Sequence, residues 1–283
     1  MSPAAVGVVT VTYNTGETLR AFLSSLASAT GREVDVVVVD NASADPEPAR
    51  AIATEHGARF LVLDRNVGYG AGIEAGIEEL DPEIPFVLAS NPDVTFTPGA
   101  LDELLDRAAA HPEGGAFGPR VLEGDGALYP SARPLPSLRV GLGHALFVRM
   151  WPANPWTRVY RATPDVTRER ATGWLSGACL LLRRSAYDAI GGFDAEYFMY
   201  FEDVDLGARM QKAHWQNVYL PSAIVTHTGA HSTTNDSRAM ERVHHQSAYR
   251  YLSRKYASWY LLPLRAALRI GLEARSRWLS RSH

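Results

Sequence analysis

Four apolar runs in the first part of the chain end in polar residues, and each is followed by a segment with helical spacing. The runs are "VGVVTVTYN", "VDVVVVDNAS", "ARFLVLD" and "IPFVLASNPD". They are continuous rather than alternating, the pattern of strands covered on both faces. Between them, "TGETLRAFLSSLAS" puts Leu19, Leu23 and Leu26 on one helical face, and "PEPARAIATEHG" closes at Gly57. "GYGAGIEAGIEEL" opens rich in glycine, and "PGALDELLDRAAAH" carries Pro98 in its first turn, where proline costs a helix nothing. Strand and helix alternating over short connections predict an α/β fold. Its sheet is doubly wound and mostly parallel, with ligands at the carboxyl ends of the strands.

Three of those carboxyl ends carry polar groups: Thr12-Tyr13-Asn14, Asp40-Asn41 and Asn91-Pro92-Asp93. Asn and Asp also start turns and cap helices, which accounts for any one of the three. All three together favour a ligand site. The single Cys179 excludes an internal disulfide and fits a reducing compartment. No basic flank precedes the first apolar run, so no secretory signal is expected. No apolar run reaches the roughly 20 residues of a membrane span. A net charge of −3 argues against nucleic acid as a partner, but it hides an asymmetry. From Arg242 onward nine Lys or Arg face one acid, Glu273. That imbalance suggests an anionic surface as partner for the tail.

The middle, with "YPSARPLPSL" and "WPANPWT", reads as loops over a surface. Ala178–Leu182 reads as a further strand, and "VYLPSAIVTHTGAHST" as a closing strand pair with His227 and His231. An aromatic cluster (Phe193, Tyr197, Phe198, Tyr200, Phe201) precedes three acids, Glu202, Asp203 and Asp205. Acids at a helix start suit its dipole, and one could be a cap. Three so close repel one another beside aromatic neighbours, which raises a carboxyl pKa and makes a base. Asp93 could hold a hard cation that bridges a diphosphate. His227 could be a further ligand, tilting selection toward Mn2+, or a hydrogen-bonded structural histidine. "NVGYGAGIEAG" follows the third strand rather than the first, and its G-x-G-x-G spacing is not the dinucleotide fingerprint. Glycine there lets the backbone approach a base or sugar closely.

The set "VVTVTYN…VVVVDNAS…NVGYGAG…ASNPDV…SGACLLLRRSAYDAIGGFDAEYFMYFEDVDLGARM…PSAIVTHTGAHST", in that order, resembles the inverting glycosyltransferases of family 2. These use nucleotide-diphosphate sugars and have the fold called GT-A. The resemblance covers residues 6–235, which sets a division into a catalytic domain, 1–235, and a basic amphipathic helical tail, 236–283. "YPSARPLPSL", "WPANPWT", "GWLSGACLLLRRSA" and "YFMYFEDVDLG" further resemble the actinobacterial rhamnosyltransferases of arabinogalactan linker synthesis. Those enzymes move L-rhamnose from dTDP-L-rhamnose to the 3-hydroxyl of N-acetylglucosaminyl-diphospho-decaprenol.

By that resemblance Thr12, Tyr13 and Asn14 meet the nucleotide, Asp40 contacts base or ribose, and Asn66, Gly68 and Tyr69 pack on nucleotide and sugar. Asn91-Pro92-Asp93 occupies the place of the family's Asp-x-Asp motif. Asn91 stands at its first position, which leaves the main bond to Mg2+ or Mn2+ to Asp93 and implies a weaker metal affinity. His227 matches a late histidine that completes the metal site. Asp203 matches the second member of an acidic pair and the usual catalytic base. Glu202, Arg133, Trp174, Ser176 and Gly177 are expected to touch acceptor or sugar. The acceptor is polyprenyl-diphosphate-linked N-acetylglucosamine, so the expected location is cytoplasmic and peripheral, on the inner face of the cell membrane. An oligomer is compatible with this reading.

Other classes fit less well. A nucleotide-dependent oxidoreductase needs its Gly-rich turn after the first strand, where this chain has "TYNTG". A sugar-nucleotide pyrophosphorylase needs a basic Gly-rich loop near the N-terminus. A non-catalytic sugar-binding module does not need the acids. The alternative within the family is a transferase of galactofuranose, or of a deoxysugar other than rhamnose, acting on a polysaccharide or lipid-linked acceptor. In the tail, a helix over Leu261–Arg281 gathers Leu261, Leu264, Ala267, Leu268, Gly271, Leu272, Trp278 and Leu279 into one arc. Arg265, Arg269, Arg277 and Arg281 fall opposite, with Glu273 among them and Arg275 and Ile270 as exceptions, a pattern expected of a helix lying in a membrane interface. The arc could equally pack on the catalytic domain.

Overall fold

The computed structural model describes residues 4–138, 150–151, 154, 165–229 and 237–279. Most of "WPANPWT" and His231 lie outside them. The first half forms as the hydrophobic pattern dictates. Strand β1 (Val6–Thr12) is buried throughout and leads to α1 (Glu17–Ala29), β2 (Val34–Asp40), α2 (Glu47–Glu55) and β3 (Arg59–Val62). Then come α3 (Tyr69–Glu78), β4 (Phe86–Ser90), β5 (Val94–Phe96), α4 (Ala100–Ala110) and β6 (Gly114–Glu123). Short strands β7 (Leu128–Tyr129), β8 (Ala132–Arg133), β9 (Arg170–Thr172) and β10 (Trp174–Leu175) precede β11 (Cys179–Arg183). The chain continues through α5 (Arg184–Ala189), α6 (Glu202–Lys212) and β12 (Gln216–His227). It ends with α7 (Ser237–Lys255), a 3-10 turn (Trp259–Leu261) and α8 (Leu262–Leu279).

The main sheet runs in the order β3-β2-β1-β4-β11-β6-β12-β5. β1 pairs in parallel with both β2 and β4, so the strand order reverses beside it. A crevice opens at such a switch point, and the carboxyl ends of β1, β2 and β4 all reach it. Its floor is fixed by register: Thr12 lies opposite Asp40, and Thr10 opposite Ser90. The central sheet is mostly parallel, as expected, with reversals at β11, β5 and the short flanking strands. β11 runs antiparallel to both β4 and β6, β5 and β9 antiparallel to β12, and β7 antiparallel to β6.

Alternation along β1 feeds two cores. Val6 and Val8 face one, with Leu19, Phe22, Leu26, Ile52, Leu101 and Leu104 from α1, α2 and α4. Val9 and Val11 face the other, with Ile73, Ile77, Tyr187, Leu206 and Met210 from α3, α5 and α6. Each fully buried side chain of this kind contributes ~1.5–3 kcal/mol.

One expectation needs correction here. The closing segment is one long strand, β12, not a strand pair. Its pairing with β6 shifts register between Leu220 and Ile224, so the stretch from Pro221 to Ala223 makes a bulge instead of a turn. The first helix of the tail, α7, packs on the α/β body: Tyr251 is buried against Tyr197 and Val204, and the Ser247 hydroxyl donates to the Met199 carbonyl at 2.8 Å.

Candidate active site

Two groups of side chains face the crevice, one at the end of β4 and one at the start of α6. At β4, the chain leaves the sheet at Asn91, whose N–H donates to the Ala178 carbonyl at 2.9 Å. β5 then pairs with β12 so that His227 lies opposite Val94. This brings His227 Nε2 to 3.2 Å from Asp93 Oδ1 and 3.3 Å from Asn91 Nδ2. Asp93 is only 8% exposed. Tyr129 meets the His227 ring edge-on at 5.8 Å between centroids, a contact no sequence signal announced.

Among the described residues no cluster of three or more His, Cys, Asp or Glu is placed to hold a metal ion. Asp93 and His227 nevertheless offer one carboxylate and one imidazole. A cation that takes its remaining ligands from a diphosphate and water needs no more than one or two protein groups. The donor set therefore fits Mg2+ or Mn2+ carried in with a nucleotide.

The second group forms where β11 meets α6. Two consecutive aromatic residues before α6, Tyr200 and Phe201, have left-handed backbones (φ 66° and 67°). Such conformations cost about 1–3 kcal/mol each and persist only where the surroundings impose them. They turn the chain so that Asp203, in the first turn of α6, points at β11. Its Oδ2 accepts the Gly177 N–H at 3.0 Å, and its Oδ1 accepts the Val204 N–H at 2.8 Å. Burial raises the Asp203 pKa above the ordinary carboxylate range, opposed by these hydrogen bonds and by the charge of Arg133. Burial also raises Glu202, with the adjacent Asp203 charge as the second cause. Among the described residues Glu202 Oε2 has no hydrogen-bond partner. Two acids so close share a proton near neutral pH.

Asp205 does not belong to this group. It lies two helical positions from Asp203, on nearly the opposite side of α6. There it accepts from Arg209 at 2.6 Å.

Tyr69 joins the two groups. Its hydroxyl donates to the Gly177 carbonyl at 2.6 Å. Burial first, then the Glu202, Asp203 and Asp93 carboxylates, hold its pKa well above the usual phenol value. The phenol thus stays protonated and donating. Gly68, just before it, has φ 89° and ψ 177°, and a Cβ there would stand 1.9 Å from the Phe198 carbonyl oxygen. The Tyr69 N–H donates to that same oxygen at 3.0 Å.

Several expected contact residues hold the walls rather than face the crevice. Thr12 and Asp40 are both fully buried. The Asp40 carboxylate accepts from the Ser43 N–H at 2.8 Å, the Ser43 hydroxyl at 2.6 Å and the Thr12 hydroxyl at 3.3 Å. These bonds shape the turn after β2. Asn14 is tied to that turn, its Oδ1 accepting from the Ala44 N–H at 3.0 Å. Asn66 accepts from Asn41 at 2.9 Å and from the Gly68 N–H at 3.0 Å. Tyr13 is the exposed member of the first motif, at 42%.

Near the base, Trp174 is half-buried against the cluster of Tyr197, Val204 and Tyr251, and Ser176 is buried with its hydroxyl accepting the Ala178 N–H at 3.3 Å. Arg133 pairs with Trp174 across β8 and β10, is exposed, and donates to the Pro130 carbonyl at 2.9 Å.

The family model for glycosyl transferase family 2 matches residues 7–191. The N-acetylglucosaminyl-diphospho-decaprenol L-rhamnosyltransferase of Mycobacterium tuberculosis is 45% identical to this chain over 284 residues, covering 97% of this chain and 92% of that protein. Among solved structures, the fold is similar to the mannosyltransferase PcManGT of Pyrobaculum calidifontis, in complex with GDP-Man and Mn2+. The TM-score is 0.59 at 14% identity, covering 100% of this chain and 80% of that one. GalNAc-T7 with UDP, GalNAc and Mn2+ gives a TM-score of 0.60 at 15% identity, covering 96% and 55%.

Proposed function

The chain belongs to glycosyl transferase family 2, and we propose that it transfers L-rhamnose from dTDP-L-rhamnose to the 3-hydroxyl of N-acetylglucosaminyl-diphospho-decaprenol. The likeness to the mycobacterial enzyme over 97% of the chain supports donor and acceptor. The observation that carries the mechanism is Asp203. It is a carboxylate of raised basicity, fixed 3.0 Å from the Gly177 N–H.

Asp203 takes the proton of the acceptor hydroxyl. The freed oxygen pair forms the new bond to the anomeric carbon from the face opposite the nucleotide. The bond from that carbon to the diphosphate breaks, its electron pair leaves with dTDP, and the configuration inverts. The protonated Asp203 returns its proton to water. Tyr69 and the Gly177 turn keep the base in place, and base catalysis of this kind contributes ~10²–10⁴-fold. Mg2+ or Mn2+ held by Asp93 and His227 would supply charge stabilisation to the diphosphate.

The donor is tested by thermal unfolding with a panel of sugar nucleotides and Mg2+ or Mn2+. At a hundredfold excess over Kd, binding adds ~2.7 kcal/mol of stability. dTDP-L-rhamnose should protect most, and Asp93→Ala should lose the metal-dependent part of that protection. Stronger protection by a galactofuranosyl nucleotide would reassign the donor.

The acceptor is a membrane lipid, so we infer peripheral binding through the tail. No helix among the described residues is long and apolar enough to cross a membrane. Trp259 and Tyr260 in the 3-10 turn are 80% and 64% exposed, and Leu262, Leu264 and Ile270 of α8 are exposed too. Of the arc itself Leu264 and Ala267 are exposed while Leu261 and Leu268 are half-buried, so this turn and the start of α8 offer apolar surface that supports the membrane reading. The side chains of Leu272, Arg275, Arg277, Trp278, Leu279 and Arg281 lie outside the described residues. Aromatic residues settle at the headgroup level, and each basic residue near an anionic leaflet adds ~1 kcal/mol. The protein should co-sediment with anionic vesicles at low salt and detach as salt rises. Changing Arg265, Arg269, Arg277 and Arg281 to Gln should weaken this binding and leave dTDP affinity unchanged. Absence of co-sedimentation at low salt would end the membrane role.

A further inference from the structure

The basic tail does more in this fold than carry charge toward a surface. Its first helix, α7, reaches both segments that flank Asp203. On one side lies the stretch 194–205, which includes the two left-handed aromatics and the start of α6. Arg250 and Arg254 both pair with Asp194, Arg254 also approaches Asp205 at 3.7 Å, and Arg250 pairs with Glu196. Both guanidinium groups lie over the buried Tyr197 ring, at 5.3 and 6.0 Å. Tyr251 packs on Phe201 at 5.8 Å, and Ser247 holds the Met199 carbonyl.

On the other side lies the stretch after Arg133. Lys255 donates to the Pro136 carbonyl at 2.6 Å, and the Tyr256 hydroxyl, one residue past α7, accepts the Leu138 N–H at 3.1 Å. Arg133 is the side chain whose charge acts on Asp203.

A strained path such as Tyr200-Phe201 keeps its geometry only while its neighbours fix it. α7 supplies those neighbours and ties the two segments to each other. We propose that Arg250 and Arg254 are positioning residues for catalysis, clamping the 194–205 segment so that Asp203 stays aimed at the acceptor. They touch neither substrate nor the reacting atoms. The proposal rests on Asp203 being the base. It gives the tail a second task, because the helix that fixes the base runs directly into the exposed aromatic turn.

The test is steady-state kinetics of the full-length protein with dTDP-L-rhamnose and a lipid-linked N-acetylglucosamine acceptor. Misplacing a catalytic group by about 1 Å costs up to ~10²-fold in rate. The double variant Arg250→Gln/Arg254→Gln should therefore lose about 10–100-fold in kcat, with the KM for dTDP-L-rhamnose unchanged. Arg250→Lys/Arg254→Lys, which keeps the charges on Asp194, should recover most of that loss. A double Gln variant with normal kcat overturns the proposal. So does a kcat loss that only tracks the loss of folded protein, measured by circular dichroism on the same samples. Asp203→Asn in the same assay separates the two readings. If it turns over normally, the base assignment falls and the clamp with it. If it is inactive while the Gln variant is normal, the clamp alone falls.

Discussion

Replacing Asp203 with Asn is expected to lower turnover by about 10²–10⁴-fold and to leave the fold and dTDP binding intact. Asn keeps the shape and can still accept the Gly177 N–H, so the β11–α6 junction should hold. It cannot take a proton at any useful pH. The nucleotide side of the crevice, with Asp93 and His227, is built on other strands and should not feel the change. Transfer assays with a parallel calorimetric titration of dTDP check both halves, and near-normal turnover would refute the assignment.

The parent enzyme should show the matching pH dependence. The active form is the carboxylate, and burial raises its pKa above the ordinary Asp value of about 4. Turnover should therefore fall as pH drops through a value well above 4. Stability moves the other way. The folded chain holds the protons of Glu202 and Asp203 more tightly than the unfolded chain does. The pair's contribution is full below about 4 and is lost as pH rises through the raised values. Asp203→Asn should thus be more stable than the parent at alkaline pH, as expected where activity demands a costly group.

The second large effect is expected from Gly68→Ala. At φ 89° and ψ 177° the backbone occupies a region essentially restricted to glycine, which alone costs ~1–3 kcal/mol for any other residue. The added Cβ would also stand 1.9 Å from the Phe198 carbonyl oxygen, a backbone atom that accepts the Tyr69 N–H. Relief requires the 66–69 and 197–199 segments to part. The expected loss is about 3 kcal/mol or more in denaturant unfolding, and the displaced Tyr69 should cost turnover as well. Gly57→Ala is the control. Gly57 also has a positive φ, 69°, but nothing stands within 4 Å of its Cβ position. It should cost only ~1–2 kcal/mol. Equal losses in the two variants would show that close approach to Phe198 plays no part.

Much of this architecture was legible because it is local. Val6–Thr12 and Val34–Asp40 are continuous apolar runs buried by helices next to them in sequence, so composition and spacing suffice. What failed is non-local or a matter of direction. Pro221-Ser222 looks like a turn, yet a bulge also tolerates proline and lets β12 continue past it. Asp205 sits with Glu202 and Asp203 in sequence, but helical geometry sends it to Arg209. Thr12 and Asp40 stand at strand ends as a ligand site requires, and only packing reveals that both are fully buried, with Asp40 bonded to Ser43. The meeting of Gly177 with Asp203, and of Tyr69 with Gly177, depends on how β11 lies in the sheet. No periodicity encodes that.

The reversal at β11 also sets an order of assembly. β1 to β4 pair with one another within the first 90 residues, so that half can form while later segments are still being synthesised. β11 seats between β4 and β6, and Ser90, paired with Thr10 on one side, meets Cys179 on the other only then. Such a distant pairing must spend loop-closure entropy before its contacts return anything, which makes it slow. Until then the edge of β4 stands open to strands of other chains. The same event delivers Gly177 to Asp203. A chain halted before it therefore carries both an adhesive edge and an unfinished base site.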